Sequence, residues 1–286
     1  MSENLLSPPP RRLHMVIRPS SGWAALKIRE LWQFRDLLLS LAGRDLKVRY
    51  KQTVLGVLWV VLQPLLAAGI FAIVFGVVAG MDKGDRPYPY VIISYSGTLA
   101  WMIFGGTVLK AGECLLNNSQ LVSKVFFPRL VLPLSTVLST MVDFMVGLPI
   151  LVLLMAIYHV VPGPQILLLP FWIGLLLLFG LGIALIASAL MVTYRDIKYI
   201  VPVGVSMLMY ASPVGYTADK VPAKVLWFFK ANPLTYLIDG FRYALLPDAP
   251  APGWEAVGIA TALTLAVFVF GLFSFKRMER RFADVI

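Results

Sequence analysis

The chain has 286 residues, of which 59% are hydrophobic and only 14% charged, with a mean hydropathy of +0.80. A soluble domain carries roughly a quarter charged residues, so the composition excludes an ordinary water-soluble globule and indicates a polytopic membrane protein. The formal net charge of +10 is not a nucleic-acid footprint, because Lys and Arg gather at the ends of apolar stretches, where anionic lipid accounts for them.

Residues 1–26 read as a flexible tail. Pro8-Pro9-Pro10 and Arg11-Arg12 argue against a packed start, and there is no short apolar core with a small-residue cleavage site. The segment 27–52 reads differently. At 100° per residue Ile28, Leu31, Trp32, Leu38, Leu39, Ala42 and Leu46 share one side. Arg29, Asp36, Arg44, Lys47 and Lys51 share the other, while Arg35 and Leu37 break the pattern and Gly43 is a place for a bend. That periodicity predicts an interfacial amphipathic helix with its apolar face in the headgroup boundary. Arg44, Lys47, Arg49 and Lys51 then run without a spacer into an apolar stretch that is uncharged from Gln52 to Gly80 and carries Gln63-Pro64. Such a basic flank belongs on the cytoplasmic side.

A spanning helix needs about 20 mostly apolar residues. Six stretches qualify, at 53–79, 92–117, 134–158, 166–192, 199–215 and 256–275. The predicted fold is therefore an all-α membrane protein whose six-span domain covers 53–286. With the N-terminus inside, the segments 1–52, 118–133, 193–198 and 276–286 hold ten, two, two and four Lys or Arg. The opposite segments 80–91, 159–165 and 216–255 hold two, none and four. This asymmetry puts both termini in the cytoplasm.

Between the fifth and sixth spans, 218–251 is too apolar for a free loop and too broken for a crossing. Pro222, Pro233 and Pro247 divide it into two short helical pieces. Short apolar pieces at membrane depth survive when buried in protein or lining a cavity. A re-entrant pair dipping in from the outer face is the expectation, with two interfacial helices lying flat as the alternative.

Enzyme chemistry has little support. No G-x-x-x-x-G-K-[ST], H-E-x-x-H or G-x-S-x-G occurs, and the two histidines, His14 and His159, stand far in sequence from acidic partners. Cys114 is the single cysteine, which rules out an intrachain disulfide and a cysteine-based metal cluster. Charges inside the spans are Lys110, Glu113 and Asp143. Lys110 and Glu113, at i,i+3, are expected to pair on one helix face. Asp143 is expected either to bond to a neighbouring helix or to touch a transported hydrophilic group. So few intramembrane charges argue for motive energy supplied from outside the chain. Many aromatics fall where an interfacial belt would put them. Trp101, Phe104 and Tyr210 fall within spans, Tyr216 follows the end of the fifth, and Tyr236 and Phe241 lie in the broken segment. Aromatic faces stack on sugar C–H surfaces while tolerating many hydroxyl patterns, so these six are the candidates for lining a saccharide passage.

The ordered set of motifs resembles a known family. It comprises the basic amphipathic helix, R-D-L-K-V-R-Y-K-x-x-x-L-G-x-L-W from Arg44, Gln63-Pro64, and S-K-V-F-F-P-R at Ser123–Arg129. Tyr194-Arg195-Asp196, Ser212-Pro213, N-P-L-T-Y at Asn232–Tyr236 and a basic tail follow. Together they look like the membrane subunit of type-2 ABC exporters for bacterial surface polysaccharides, most like the O-antigen and teichoic-acid permeases. The resemblance implies a homodimer in the bacterial inner membrane, bound to two copies of a separate ATPase chain. It implies a lipid-linked polysaccharide as substrate, with ATP and Mg on the partner and no cofactor on this chain. It further implies that Lys124, Phe126, Phe127 and Arg129, with Arg195 and Asp196, couple ATPase motion to the membrane. Val125-Phe126-Phe127 are poor residues to leave in water, which suits an anchor in a partner groove. The helix bearing Arg44, Lys47, Arg49 and Lys51 would border the substrate's cytoplasmic entrance, and Lys220–Pro247 would close the outer face. The competing readings are a capsular-polysaccharide, teichoic-acid, drug or lipid exporter, and a membrane-embedded glycosyl- or acyltransferase.

Overall fold

A computed structural model of the chain describes residues 28–51, 56–82, 88–218, 221–279 and 282. The tail 1–26, the start of the first expected span and Lys220 lie outside the described residues. Every regular element among the described residues is helical. In chain order these are α1 (Ile28–Gln33), α2 (Arg35–Lys51) and α3 (Val57–Phe71), the last continued by a π-helical segment at Ala72–Val78. Then come α4 (Tyr90–Asn117), α5 (Ser119–Lys124), α6 (Val131–Ile157), a 3-10 turn at Pro164–Leu168 and α7 (Leu169–Thr193). The last four are α8 (Ile197–Tyr210), α9 (Leu226–Ala231), α10 (Pro233–Leu245) and α11 (Trp254–Glu279).

The molecule is built around α4, which is buried along most of its 28 residues. Its sequence is rich in small residues, Ser94, Ser96, Gly97, Ala100, Gly105 and Gly112 among them, which let neighbouring backbones approach closely. Its hydroxyls are satisfied within the helix, Thr98 donating to the Ser94 carbonyl at 2.7 Å and Thr107 to that of Ile103 at 2.7 Å. Around it pack α3, α6, α7, α8 and α10, and α11 lies outside against α7. A Cβ built on Gly271 would stand 2.2 Å from the Gly182 carbonyl oxygen, so the α7–α11 crossing admits only glycine there.

Among the described residues, five helical stretches are long and apolar enough to cross a membrane: Leu58–Val78, Tyr90–Asn117, Val131–Ile157, Pro164–Thr193 and Trp254–Glu279. The stretch 199–215 instead forms α8, whose 14 residues fall short of a crossing by themselves. Pro213 supplies no backbone donor, and the chain turns from Ala211 while the Tyr216 hydroxyl donates to the Tyr210 carbonyl at 3.0 Å. At the end of α6, His159 takes a left-handed φ of 54° and the Val160 N–H closes onto the Met155 carbonyl at 2.8 Å. Near the N-terminus the helical break falls at Phe34, between α1 and α2, while Gly43 sits in uninterrupted helix.

The segment 221–251 forms two short helices, as its prolines require. Asn232 explains the N-P-L-T-Y motif. Its side chain caps α10 by accepting from the Leu234 N–H at 3.0 Å, and its amide donates to the Ser212 hydroxyl at 2.9 Å. Pro233 then takes the first helical position, where a missing N–H costs nothing. From α10, the buried Arg242 donates to the carbonyls of Val214 at 2.6 Å and Tyr216 at 2.8 Å. It fastens the 211–217 turn to α10, and Gly97 leaves the room, since a Cβ there would lie 2.3 Å from the guanidinium.

Two apolar clusters result. The larger runs through α4, α6, α7 and α10. The second joins Leu41 of α2, Phe127, Val131 and the α7 residues Leu181 and Leu185 to Phe275 and Phe282.

Candidate functional site

Asp143 lies near the middle of α6 and is 3% exposed. A buried carboxylate persists only with partners, and three side chains from two other helices supply them. Arg49 and Lys110 both bond its Oδ2, and the Tyr50 hydroxyl donates to Oδ1 at 2.8 Å. Arg49 and Tyr50 belong to α2, Lys110 to α4. The expected Lys110–Glu113 pair is therefore replaced: Lys110 turns to the buried Asp143, where the gain is greater, and Glu113 borders an open cleft. The Tyr50 phenol is pushed up to about 12, first by burial and then by its hydrogen bond to Asp143.

Two cavities meet at this cluster. A cleft of about 740 Å³ lies between α2, the end of α4 and α6, with Arg44, Asp45, Arg49, Lys110 and Glu113 on its walls. A groove of about 430 Å³ continues along α3 and α4, lined by Gln63, Pro64, Thr98, Trp101 and Met102, with Met209 from α8. Arg49, Leu109 and Lys110 border both. Pro64 removes the helical donor to the Val60 carbonyl, and Val60 is also a groove residue. The groove is thus apolar with a few polar groups, and its cleft-side end is basic.

The structure distributes the predicted residues unevenly. Arg44 and Arg49 line the cleft; Arg44 donates to Asn118 at 2.6 Å, at the junction of α4 and α5. Lys47 is exposed beside a separate shallow hollow, and the side chain of Lys51 lies outside the described set. Of the six aromatics, Trp101 lines the groove. Phe104 is buried against Phe179 with ring centroids 5.5 Å apart, and Phe241 is buried edge-on to Phe144 at 6.1 Å, so both serve the core instead of a passage. Tyr210 is exposed, the Tyr216 ring packs 5.2 Å from Phe75, and the Tyr236 hydroxyl donates to the Lys230 carbonyl at 2.8 Å.

The loop after α5 is also split. Lys124, Val125 and Phe126 are exposed, Phe126 by 66%, whereas Phe127 is buried in the second apolar cluster. Arg129 bonds the Glu279 carbonyl and lies 5.7 Å from the Phe282 ring, which ties this loop to the end of α11. Arg195 and Asp196 are exposed in the α7–α8 turn. Of the two roles expected for Asp143, the structure shows the bond to neighbouring helices. That Arg49, Tyr50 and Lys110 are the partners is the part that sequence reasoning missed.

The profile of the ABC-2 type transporter family matches residues 36–246, from α2 to the end of α10. The chain belongs to the ABC-2 type transporter family. It is accordingly a multi-pass membrane protein, and the matched region holds both the cleft and the groove. Among relatives, the O-antigen export system permease protein RfbA of Klebsiella pneumoniae is 29% identical over 258 residues, covering 88% of this chain and 95% of the relative. Its counterpart from Myxococcus xanthus is 29% identical over 262 residues, covering 91% and 98%. The polysialic acid transport protein KpsM of Escherichia coli is more distant, 22% identical over 244 residues and covering 82% and 91%.

Proposed function

We propose that this chain is the membrane-spanning subunit of an ABC exporter that moves a lipid-linked polysaccharide of the O-antigen type across the bacterial inner membrane. The observation that carries the reading is likeness over nearly the whole length to permeases named for O-antigen export, at 29% identity against 22% for the polysialic acid protein. The sequence contains no phosphate-binding loop, so ATP and Mg belong to a separate ATPase, two copies of which serve a homodimer of this chain. The exposed Lys124–Phe126 segment, together with Arg129, Arg195 and Asp196, is the contact for that ATPase. In this reading α2 lies in the cytoplasmic interface, α8 completes a sixth crossing together with the 211–217 turn, and α9–α10 re-enter from the outer face. Both termini are then cytoplasmic. The basic cleft is the entrance, and the groove past Trp101 forms part of the passage.

Deletion of the gene in its host tests the reading. The expected result is loss of one surface polysaccharide with its lipid-linked form retained inside, restored by the chain together with its ATPase. If every surface polymer persists and no ATPase co-purifies with the tagged chain, the reading fails. If a capsule disappears in place of the O-antigen, the substrate class changes and the transport role stands.

A further inference from the structure

We infer that Arg49 and Tyr50 form a releasable clasp that holds α2 over the junction of cleft and groove, with Asp143 as its fixed catch and Lys110 as the charge that keeps the catch neutral when the clasp opens. This rests on the transport reading above for its purpose, although not for its mechanics.

The argument begins with charge. Asp143 has two cationic partners where one suffices for neutrality. Lys110 and Asp143 stand on α4 and α6, which pack against each other in the core. Arg49 and Tyr50 stand on α2, which packs mainly on α6 at the edge of the molecule. Removing one partner of a buried ion pair is expensive because an uncompensated charge stays behind. Here the uncompensated charge is avoided: when Arg49 leaves, Lys110 remains on the carboxylate and only the Arg49 hydrogen bond is lost. The guanidinium meanwhile has a ready alternative in water, its side chain being 44% exposed already. A cluster selected only to hold the fold would need just one cation, preferably a buried one. The second cation on a separable helix makes the contact reversible.

Position gives the clasp its effect. Arg49, Leu109 and Lys110 are shared by the walls of both cavities, so the partition between them is built partly from the clasp itself. Swinging the α2 end outward removes Arg49 from that partition and leaves Leu109 and Lys110 in place. One further contact ties α2 to the loop proposed to meet the ATPase. Arg44 donates to Asn118, which precedes α5, and α5 leads directly to the exposed Val125-Phe126. A displacement of α5 therefore acts on α2 five residues before the clasp.

The test uses the full-length chain in inside-out membrane vesicles, with Cys114→Ala and a reporter, Thr98→Cys, on the groove wall. A charged, membrane-impermeant thiol reagent added from the cytoplasmic side reads access to the groove. Arg49→Gln with Tyr50→Phe should speed labelling by about tenfold or more, and Lys110→Gln with Tyr50→Phe should leave it within about twofold of the parent. Each pair removes one cation and one hydroxyl from Asp143, so a merely structural cluster predicts equal effects. Equal rates in the two variants, or no acceleration in either, overturn the clasp. Should the first variant fail to fold by thermal unfolding, Arg49→Lys with Tyr50→Phe carries the same comparison. It should label at a rate between the parent and an open groove; a rate equal to the parent's overturns the proposal. Surface-polysaccharide export is scored separately: the labelling contrast without export removes the substrate reading and leaves the clasp, and export with equal labelling does the reverse.

Discussion

Arg242 is the residue that fastens the 211–217 turn to α10. It is 2% exposed, and its guanidinium serves carbonyls on the 211–217 turn while Asp239 stands one turn away on the same helix. The planar fork reaches several acceptors at once, which a lysine ammonium does not do. Arg242→Met should cost about 3 kcal/mol, because buried acceptors are left without donors at roughly 1–3 kcal/mol each. Arg242→Lys should recover less than half of it. Thermal unfolding of the purified chain in detergent checks both, and a loss within about 0.5 kcal/mol for the methionine variant would mean that the turn is held by packing alone. Asp143 is the contrasting case. It too is buried, but its partners come from two helices, Lys110 on the core helix α4 and Arg49 with Tyr50 on the peripheral α2. Among the described residues, Arg242 binds carbonyls that have no second donor of its kind, whereas Asp143 keeps one cation when the other is removed.

At the scale of elements, the α7–α11 crossing shows how an outer helix packs by close backbone approach. Gly182 and Gly271 bring two backbones into touch, and any Cβ at Gly271 meets the opposing carbonyl. Gly271→Ala should destabilise the chain by about 2 kcal/mol through overpacking. Gly258→Ala, on the same helix with open space around it, should cause no loss. Equal melting temperatures for the two would remove the close-approach argument. The loop after α5 permits a second separation, because its two phenylalanines face opposite ways. Phe127→Ala empties a buried site and should cost about 3 kcal/mol, with ATPase binding impaired only through misfolding. Phe126→Ala should leave the melting temperature unchanged and weaken co-purification with the ATPase. An unaltered complex with a stable Phe126→Ala chain would place the contact elsewhere, with Arg195 and Asp196 next in line.

For the whole molecule, the number of crossings is decided at α8. Among the described residues five helices have spanning length and α8 has 14 residues, so the count turns on whether α8 and the 211–217 turn traverse the bilayer together. Charge asymmetry argues that they do, since both termini carry the basic flanks. A fluorescent protein fused to Ile286 should be bright and an alkaline phosphatase fused there inactive, as expected for a cytoplasmic C-terminus. The opposite pattern would mean an odd number of crossings and would also reverse the sidedness assigned to α9 and α10. Tyr210 and much of α3 and α8 are exposed, and in the proposed homodimer a second copy would cover part of that surface.

What the amino-acid order determined by itself was the class of protein, the five long spans to within a few residues, the two short helices after Pro222 and the basic flank before α3. These follow from sums over neighbouring residues, of hydropathy, of charge and of proline placement, and such sums need no knowledge of what packs where. The helical shortfall of α8 sits at the edge of that legibility, since a hydrophobic stretch and an unbroken helix are different quantities. Only the tertiary structure decided which charges meet and which rings are hidden. Lys110 had a local partner in Glu113 and took a distant one, because a buried carboxylate on α6 offers more than a half-exposed one on the same helix. Phe104 and Phe241 look identical to Trp101 in a linear reading, and the face each presents was set by α7 and α6 closing over them. A clasp between α2 and α6 joins residues 49 and 143, and no local pattern records that distance.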